Sequence, residues 1–193
     1  MDRGKVGKGE KISGLVALLK GVRDRAPAPV ERWDPPYCGD IGLKICADGR
    51  WVYRDSPIRR EGLVKLFASV LRKDADGRTY LVTPAEKVDV EVEDAPFRAV
   101  EMEVQGTGRG QELIFRTNVD DMVRCGPERP LQFSIQNPSG GLRPYVRVRG
   151  RLDALITRAL YYDLVALAVE EKCGGRAVLN LWSGGTFFQM QAA

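Results

Sequence analysis

The sequence contains no histidine among its 193 residues. This absence excludes Ser-His-Asp and Cys-His nucleophile pairs, because both need an imidazole as the proton acceptor. It also excludes the common imidazole metal sites. Any catalysis would depend on lysine, cysteine, tyrosine or carboxylate side chains alone. We therefore predict a protein that is not an enzyme and that has neither a cofactor nor a bound metal.

Long apolar runs and paired cysteines are absent as well. No stretch of about 18 apolar residues occurs, so no membrane span is predicted. No small-residue cleavage site follows the short apolar segment 15–19, so a secretory signal is not expected and a cytoplasmic location is. The cysteines at positions 38, 46, 125 and 173 form no CxxC pair, which argues against a zinc ribbon. Reduced thiols are the expectation in the cytoplasm.

The net charge of +4 is confined to one end of the chain. The first 25 residues carry seven basic and three acidic side chains, which account for the whole excess. The remainder is balanced, whereas a nucleic-acid-binding domain usually carries a basic face on its folded part. We predict no nucleic-acid partner.

The periodicity of apolar residues divides the chain into three parts. Residues 1–30 form a basic tail and a short amphipathic helix, since Ile12, Val16 and Leu19 recur at helical spacing. Residues 31–110 and 111–193 are predicted to form two α+β modules.

The two modules contain segments that resemble each other. Each segment reads as a strand, a junction with arginines, a helical pattern (61–71 in the first, 152–169 in the second) and another strand. We predict an α+β fold of two similar β-rich halves, each with the order strand-strand-helix-strand-strand. One long helix packs on a mostly antiparallel sheet in each half.

The arginine junctions are the predicted ligand site. Backbone N–H groups at a helix N-terminus favour anions, and guanidinium groups bind phosphate or carboxylate with several donors. The proposed ligand-binding residues are Ser56, Arg59, Arg60, Arg149 and Arg151. In the alternative interpretation, these arginines lie in water or pair with acidic strand residues.

Aromatic residues near these junctions are candidate pocket-lining residues. They are Trp33, Trp51, Tyr53 and Tyr145. The alternative is that the bulky side chains anchor loops to the core.

An acidic stripe follows two predicted strands. Its members are Asp89, Glu91, Glu93, Glu101 and Glu103. Clustered carboxylates can bind Mg²⁺ or Ca²⁺, but neighbouring like charges are more simply compensated by arginines such as Arg98, Arg116 or Arg147. We favour the arginine-paired interpretation.

Several motifs follow one another along the chain. They are Trp33-x-Pro35-Pro36-x-Cys38-Gly39-Asp40-Ile41, Asp48-Gly49-x-Trp51, Ser56-Pro57-Ile58, Leu81-Val82-Thr83-Pro84, Glu93-Asp94-Ala95-Pro96-Phe97, Pro144-Tyr145-Val146 and Trp182-Ser183-Gly184-Gly185. Together they resemble the bacterial family of domains of unknown function 1285 (DUF1285). The resemblance covers about residues 32–190. It implies an α+β fold of two related halves, a link to signal transduction and no catalytic residues. The chain departs from the family at Asp34, where the family has Asn, and at Asp55, where it has Gly.

The resulting functional prediction is a non-enzymatic module that binds a small anionic molecule and serves regulation or signalling. The alternative is an interaction or scaffold module that uses the N-terminal helix or an exposed sheet edge, including a homodimer formed through such an edge. An enzyme that uses carboxylates or lysine ranks third.

Overall fold

The computed structural model describes residues 28–136, 141–173 and 176–190. The chain divides into two compact units, residues 1–93 and 94–193. The predicted amphipathic helix and most of the predicted basic tail lie outside the described residues. No helix in the described part of the chain is both long and apolar enough to cross a membrane.

The described part of the first unit contains one six-stranded sheet and one α-helix. Its elements are β1 (Tyr37–Ile45), β2 (Trp51–Tyr53), β3 (Ser56–Pro57), α1 (Glu61–Ser69), β4 (Leu71–Lys73), β5 (Thr79–Val82) and β6 (Lys87–Val92). The strand order is β3-β2-β1-β6-β5-β4. The pair β1–β6 is parallel and every other neighbouring pair is antiparallel.

Helix α1 confirms the helical pattern predicted for 61–71, except that it ends at Ser69. Leu66 and Phe67 are buried on its inner face. The Phe67 ring lies 6.3 Å from the ring of Trp51, measured between centroids, and both side chains are almost completely buried. Burial of such large rings contributes strongly to the stability of this unit.

The turn between β2 and β3 holds two non-glycine residues in the left-handed region, Arg54 at φ 46° and Asp55 at φ 64°. Two-residue hairpin turns with positive φ favour glycine, because a Cβ is strained there. Asp55→Gly is therefore expected to increase the free energy of unfolding by about 0.5–1 kcal/mol, measured by urea denaturation. Asp34→Gly is the matched control. Asp34 has no positive φ, so glycine relieves no strain there, and the added entropy of the unfolded chain should leave the stability of that variant unchanged or lower. Equal changes in both variants would contradict the explanation.

A cluster of cations and aromatic rings joins β1, β5 and β6. The Cζ atom of Arg78 lies 5.7 Å from the Tyr37 ring centroid and 5.5 Å from that of Tyr80. Arg78 and Tyr37 both bond to the carboxylate of Asp89, and Lys87 Nζ lies 4.5 Å from the Tyr80 centroid. Cation–π contacts and charge-assisted hydrogen bonds thus hold this face of the sheet together.

Tyr80 donates its hydroxyl proton to Asp76 Oδ2 at 2.6 Å. This hydrogen bond, together with burial, raises the pKa of Tyr80 to about 12. Protonated Tyr80 therefore contributes stability below pH 10, and this contribution falls as the pH rises from about 10 to 12. We expect a tyrosinate absorbance titration to contain a component near pH 12 that disappears in Tyr80→Phe and moves to lower pH in Asp76→Asn. Tyr162→Phe, at an exposed ring, is the control that should leave this component in place.

The second unit contains a six-stranded sheet, a three-stranded sheet and one α-helix in its described part. Its elements are β7 (Phe97–Gln105), β8 (Glu112–Thr117), β9 (Met122–Arg124), β10 (Leu131–Gln136), β11 (Gly141–Arg149), β12 (Leu152–Ile156), α2 (Arg158–Leu167), β13 (Val169–Cys173), β14 (Arg176–Ser183) and β15 (Thr186–Gln189). The sheet orders are β10-β11-β12-β7-β8-β9 and β13-β14-β15. The pair β12–β7 is parallel.

The prediction of an α+β fold with two similar β-rich halves is confirmed, but the equivalent segments differ from those predicted. In each six-stranded sheet, the strand that comes first along the chain and the strand that comes last lie side by side at the centre and are parallel. The other strands follow outward on either side in chain order. The helix lies between the third and fourth strands in the first unit, and after the sixth strand in the second. The two halves therefore share a sheet topology rather than a strand-junction-helix segment.

Two predicted boundaries are shifted, in both cases because a segment pairs as a strand in the sheet of the second unit. The helical pattern predicted for 152–169 is wrong in its first part, because residues 152–156 form β12 and α2 begins at Arg158. Leu152 and Ala154 are buried on either side of the more exposed Asp153, which is the alternation of a strand. The predicted first module, 31–110, extended over β7, which instead pairs with β8 and β12 of the second unit.

The three-stranded sheet is attached to β8 through its β14–β15 turn. Gly184 and Gly185 form this turn with φ values of 56° and 74°. A Cβ on Gly184 would lie 3.1 Å from the carbonyl oxygen of Cys125, so the close approach and the positive φ both require glycine. The buried Ser183 Oγ donates to the Cys125 carbonyl at 2.7 Å and accepts from the Leu113 amide at 2.9 Å.

Candidate functional site

The predicted site residues of the first unit lie at the start of α1. Ser56 belongs to β3, and Arg60 directly precedes the helix with an extended backbone. The Arg60 carbonyl accepts from the amides of Leu63 and Val64 at 2.9 and 3.2 Å. The side chains of Arg59 and Arg60 are exposed, and within the described residues neither guanidinium has a hydrogen-bond or ion-pair partner. Two cations that have no partner among the described residues therefore lie beside the N-terminus of α1.

The predicted site residues of the second unit do not lie at a helix start. Arg149 ends β11, and Arg151 is exposed in the turn that leads to β12. Arg149 Nη1 lies 2.7 Å from Asp121 Oδ2, and its Cζ lies 5.0 Å from the Phe97 ring centroid. The prediction that these arginines mark a strand-to-helix junction is wrong, and Arg149 is instead part of an ion pair.

The predicted aromatic residues occupy different environments. Trp51 is only 2% exposed and belongs to the core, so it cannot line an open pocket. Tyr53 is half-buried beneath the guanidinium of Arg54, whose Cζ lies 4.8 Å from its ring centroid. The carbonyl oxygen of Trp33 accepts from Arg72. Among the predicted residues, Tyr145 lines a cleft.

This cleft lies wholly within the second unit and has a volume of about 580 Å³. Its lining residues are Asp94, Leu131, Gln132, Phe133, Ser134, Tyr145, Asp153 and Gln189. The apolar residues come from β10, and most of the others offer hydrogen-bonding groups. This mixture of apolar and polar lining is typical of small-molecule sites.

The strand register brings the polar lining together. Gln132 pairs with Tyr145, and Ser134 pairs with Arg143. On the other side of β11, Arg147 pairs with Asp153 of β12. Because alternate residues of a strand share a face, Arg143, Tyr145 and Arg147 lie on the same side of β11.

Asp94 connects the polar groups beside the cleft. Its Oδ1 accepts from the Tyr145 hydroxyl at 2.7 Å, and its Oδ2 lies 2.8 Å from Arg143 Nη2. Burial and the hydrogen bond to the Asp94 carboxylate raise the pKa of the Tyr145 phenol above its ordinary value. Tyr145 is therefore protonated at neutral pH and acts as a hydrogen-bond donor. Asp153 forms a second ion pair, with Arg147.

Sequence reasoning included Tyr145 but missed Asp94, Ser134 and Asp153. One available signal was the alternation Arg143-x-Tyr145-x-Arg147, which places three polar side chains on one strand face. The strand partners that supply the carboxylates are separated along the chain, so this signal alone could not identify them.

Four members of the acidic stripe, Asp89, Glu91, Glu93 and Glu101, are paired with cations, whereas Glu103 accepts a hydrogen bond from Gln105. Lys44 Nζ lies 3.0 Å from Glu91 and 2.7 Å from Glu93, while Arg116 binds Glu101. Within residues 28–136, 141–173 and 176–190, no group of three or more cysteine or carboxylate side chains is placed to hold a metal ion.

These features define a two-unit α+β protein built on two related six-stranded sheets, with a polar cleft in the second unit. The chain belongs to the DUF1285 family. The family model for its N-terminal domain, a domain of unknown function, matches residues 28–95, and the model for its C-terminal domain matches residues 96–190.

Two solved structures are similar to this chain. A DUF1285 family protein from Silicibacter pomeroyi DSS-3 is 42% identical with a TM-score of 0.84, over 93% of this chain and 95% of that one. A DUF1285 family protein from Shewanella baltica OS155 is 27% identical with a TM-score of 0.50, over 65% of this chain and 91% of that one. No curated protein matches the sequence.

Proposed function

We propose that this protein is a non-enzymatic module that binds a small molecule in the cleft of the second unit and serves a regulatory or signalling role. The observation that carries this proposal is the cleft itself. Its volume of about 580 Å³ falls in the range of ligand sites, roughly 300–1,000 Å³. A phenol with a shifted pKa and two carboxylates converge on it, as is common at functional sites.

The chemistry of the cleft favours binding over catalysis. Asp94 and Asp153 are each held in an ion pair with an arginine. Tyr145 holds its proton at neutral pH because its pKa is raised. The sequence contains no histidine, so no imidazole is available to these groups as a general base.

We also propose a cytoplasmic location. Cys38, Cys46 and Cys125 are all free thiols. Free thiols are typical of a reducing compartment, whereas secreted proteins usually pair their cysteines.

A small anionic ligand, as predicted from the sequence, is proposed for the start of α1. The observation that favours it is the pair of exposed guanidinium groups, Arg59 and Arg60, which have no partner within the described residues. Phosphate or carboxylate would be attracted both to these groups and to the helix N-terminus. The measurement is calorimetry with nucleotides and organic acids. An Arg59→Ala/Arg60→Ala variant should lose the heat of binding, while Arg50→Ala, at an exposed ion pair, should retain it.

An interaction or scaffold role is the alternative function. Large apolar side chains in the last part of the chain are 39–56% exposed, and they are Tyr162, Val165, Val169, Leu179 and Phe187. Such residues are common at protein interfaces. Sedimentation of wild type and Phe187→Ser tests a homodimer, which should dissociate in the variant if Phe187 lies in the interface.

The cleft is tested by native mass spectrometry of freshly purified protein and by thermal shift with a panel of small metabolites. Ser134→Trp fills the cleft, whereas Met122→Trp places the same side chain in β9, outside the lining, where Met122 is 56% exposed. We expect a ligand-induced shift in wild type and Met122→Trp that is absent in Ser134→Trp. Equal shifts in both variants, or no shift in wild type, would refute the cleft as the ligand site.

A further inference from the structure

The lining of the cleft is rich in hydrogen-bond acceptors and carries negative rather than positive charge. The two ionisable acids that line it are Asp94 and Asp153, whereas their partners Arg143 and Arg147 do not belong to the lining. The lining therefore includes both carboxylates, while each arginine lies beside its carboxylate partner and outside the lining.

The hydrogen-bond capacity of these groups is unequal. An ionised carboxylate accepts about four hydrogen bonds. Asp94 Oδ1 accepts from Tyr145, whereas its buried Oδ2 lies 2.8 Å from Arg143 Nη2 and has no hydrogen-bond partner within the described residues. Asp153 bonds to Arg147, so both carboxylates retain acceptor sites. The Tyr145 hydroxyl already donates its hydrogen bond to Asp94, and Ser134 hydrogen-bonds to Tyr145. The remaining neutral donors, the amides of Gln132 and Gln189, carry acceptors of their own.

We infer that the ligand of this cleft is a small cation, a molecule with an ammonium or amidinium group that donates hydrogen bonds to Asp94 and Asp153. This inference rests on the proposed function, because it names the class of ligand for the same cleft. A cationic donor matches spare carboxylate acceptors and complementary charge. An anion would instead face two carboxylates without a guanidinium in the lining to offset them.

The ligand class differs from the anion proposed for the start of α1, so the two sites are separable by charge. Arg59 and Arg60 belong to the first unit, whereas every lining residue of the cleft belongs to the second. A variant of either site should leave binding at the other unchanged.

The experiment uses the full chain and three probes that share a four-carbon backbone: putrescine, butanediol and succinate. Isothermal titration at low ionic strength should detect putrescine, with weaker or no binding of butanediol and no cleft-dependent binding of succinate. Asp153→Asn should weaken putrescine binding about tenfold, as expected for the loss of one charge-assisted hydrogen bond. Added salt should weaken it further by screening.

Glu112→Gln is the matched control, because Glu112 forms an ion pair with Arg124 in the same unit but does not line the cleft. This variant should bind putrescine like wild type. Ser134→Trp, a change at an exposed residue, fills the cleft and keeps both aspartates and both arginines in the chain.

The outcomes separate the inference from the proposed function. Binding of an amine that is lost in both Ser134→Trp and Asp153→Asn supports both. Binding of an anion or a neutral molecule that is lost in Ser134→Trp supports the cleft and overturns the inferred cation. If no probe or panel compound gives a response that depends on Ser134, both proposals fail.

Discussion

Replacing Arg72 with methionine is expected to lower the stability of the first unit by about 3–5 kcal/mol, the cost of breaking a buried ion pair. Arg72 is 8% exposed in β4. Its Nη1 donates to the carbonyl oxygens of Val30 and Trp33 at 2.7 and 2.6 Å, and its Nε bonds to Asp74 Oδ1 at 2.6 Å. Methionine keeps an unbranched apolar stem but removes every donor, so two carbonyls and a carboxylate lose a partner.

The measurement for Arg72→Met is urea unfolding combined with hydrogen exchange, which assigns the loss to a unit. The amide of Val82, which bonds to the Val70 carbonyl at 3.0 Å, should exchange faster in the variant. Arg50→Met is the matched control, since Arg50 forms an exposed ion pair with Asp48 whose loss should change stability far less. A similar loss of stability in the two variants would contradict the prediction that the buried network contributes more than an exposed ion pair.

Replacing Ser183 with alanine is expected to cost the second unit about 2–4 kcal/mol, because two buried backbone groups lose their partner. Ser183 is fully buried, and its hydroxyl joins the Leu113 amide to the Cys125 carbonyl. The alanine methyl group can neither donate nor accept, and the site is closed to water.

The specific readout for Ser183→Ala is the exchange rate of the Leu113 amide, which should rise more than the rates of other amides in β8. Ser134→Ala is the control: this serine is exposed, so its effect on stability should stay within about 0.5 kcal/mol. An unchanged Leu113 exchange rate would contradict the assigned role of the hydroxyl.

The neighbouring Cys125 is buried, and burial raises the pKa of its thiol to about 12. Its thiol should react with alkylating reagents only when this part of the unit opens.

The Ser183 network gives one of the family-like motifs a structural role that requires no catalysis. Ser183 lies in the segment Trp182-Ser183-Gly184-Gly185, where its hydroxyl attaches the three-stranded sheet to β8. Gly184 permits the close approach to Cys125. This motif is therefore a structural connection between β8 and the three-stranded sheet.

The candidate cleft could be predicted only in part. Tyr145 was a candidate because it lies near the predicted second arginine junction, although that junction leads to strand β12 and not to a helix. Asp94, its hydrogen-bond partner, lies 51 positions away along the chain. No local pattern connects two such residues, because their meeting depends on where the chain enters the second unit.

The wrong prediction of a helix over residues 152–156 also has a physical explanation. Leu152, Leu155 and Ile156 satisfy helical spacing when they are followed by Leu160. Residues 152–156 nevertheless form β12, since the central position between β11 and β7 supplies strand partners on both sides. Tertiary pairing outweighs a local preference of a few tenths of a kcal/mol per residue.

The sequence by itself determined the α+β class, the family, helix α1 and the absence of imidazole chemistry, because composition and apolar periodicity are local properties. The tertiary structure decided the parallel pairing of β7 with β12, the division of the chain after Glu93, and the carboxylate that each arginine binds. These depend on which distant strands become neighbours. Periodicity shows that a strand face is buried, but it does not identify the strand that lies beside it.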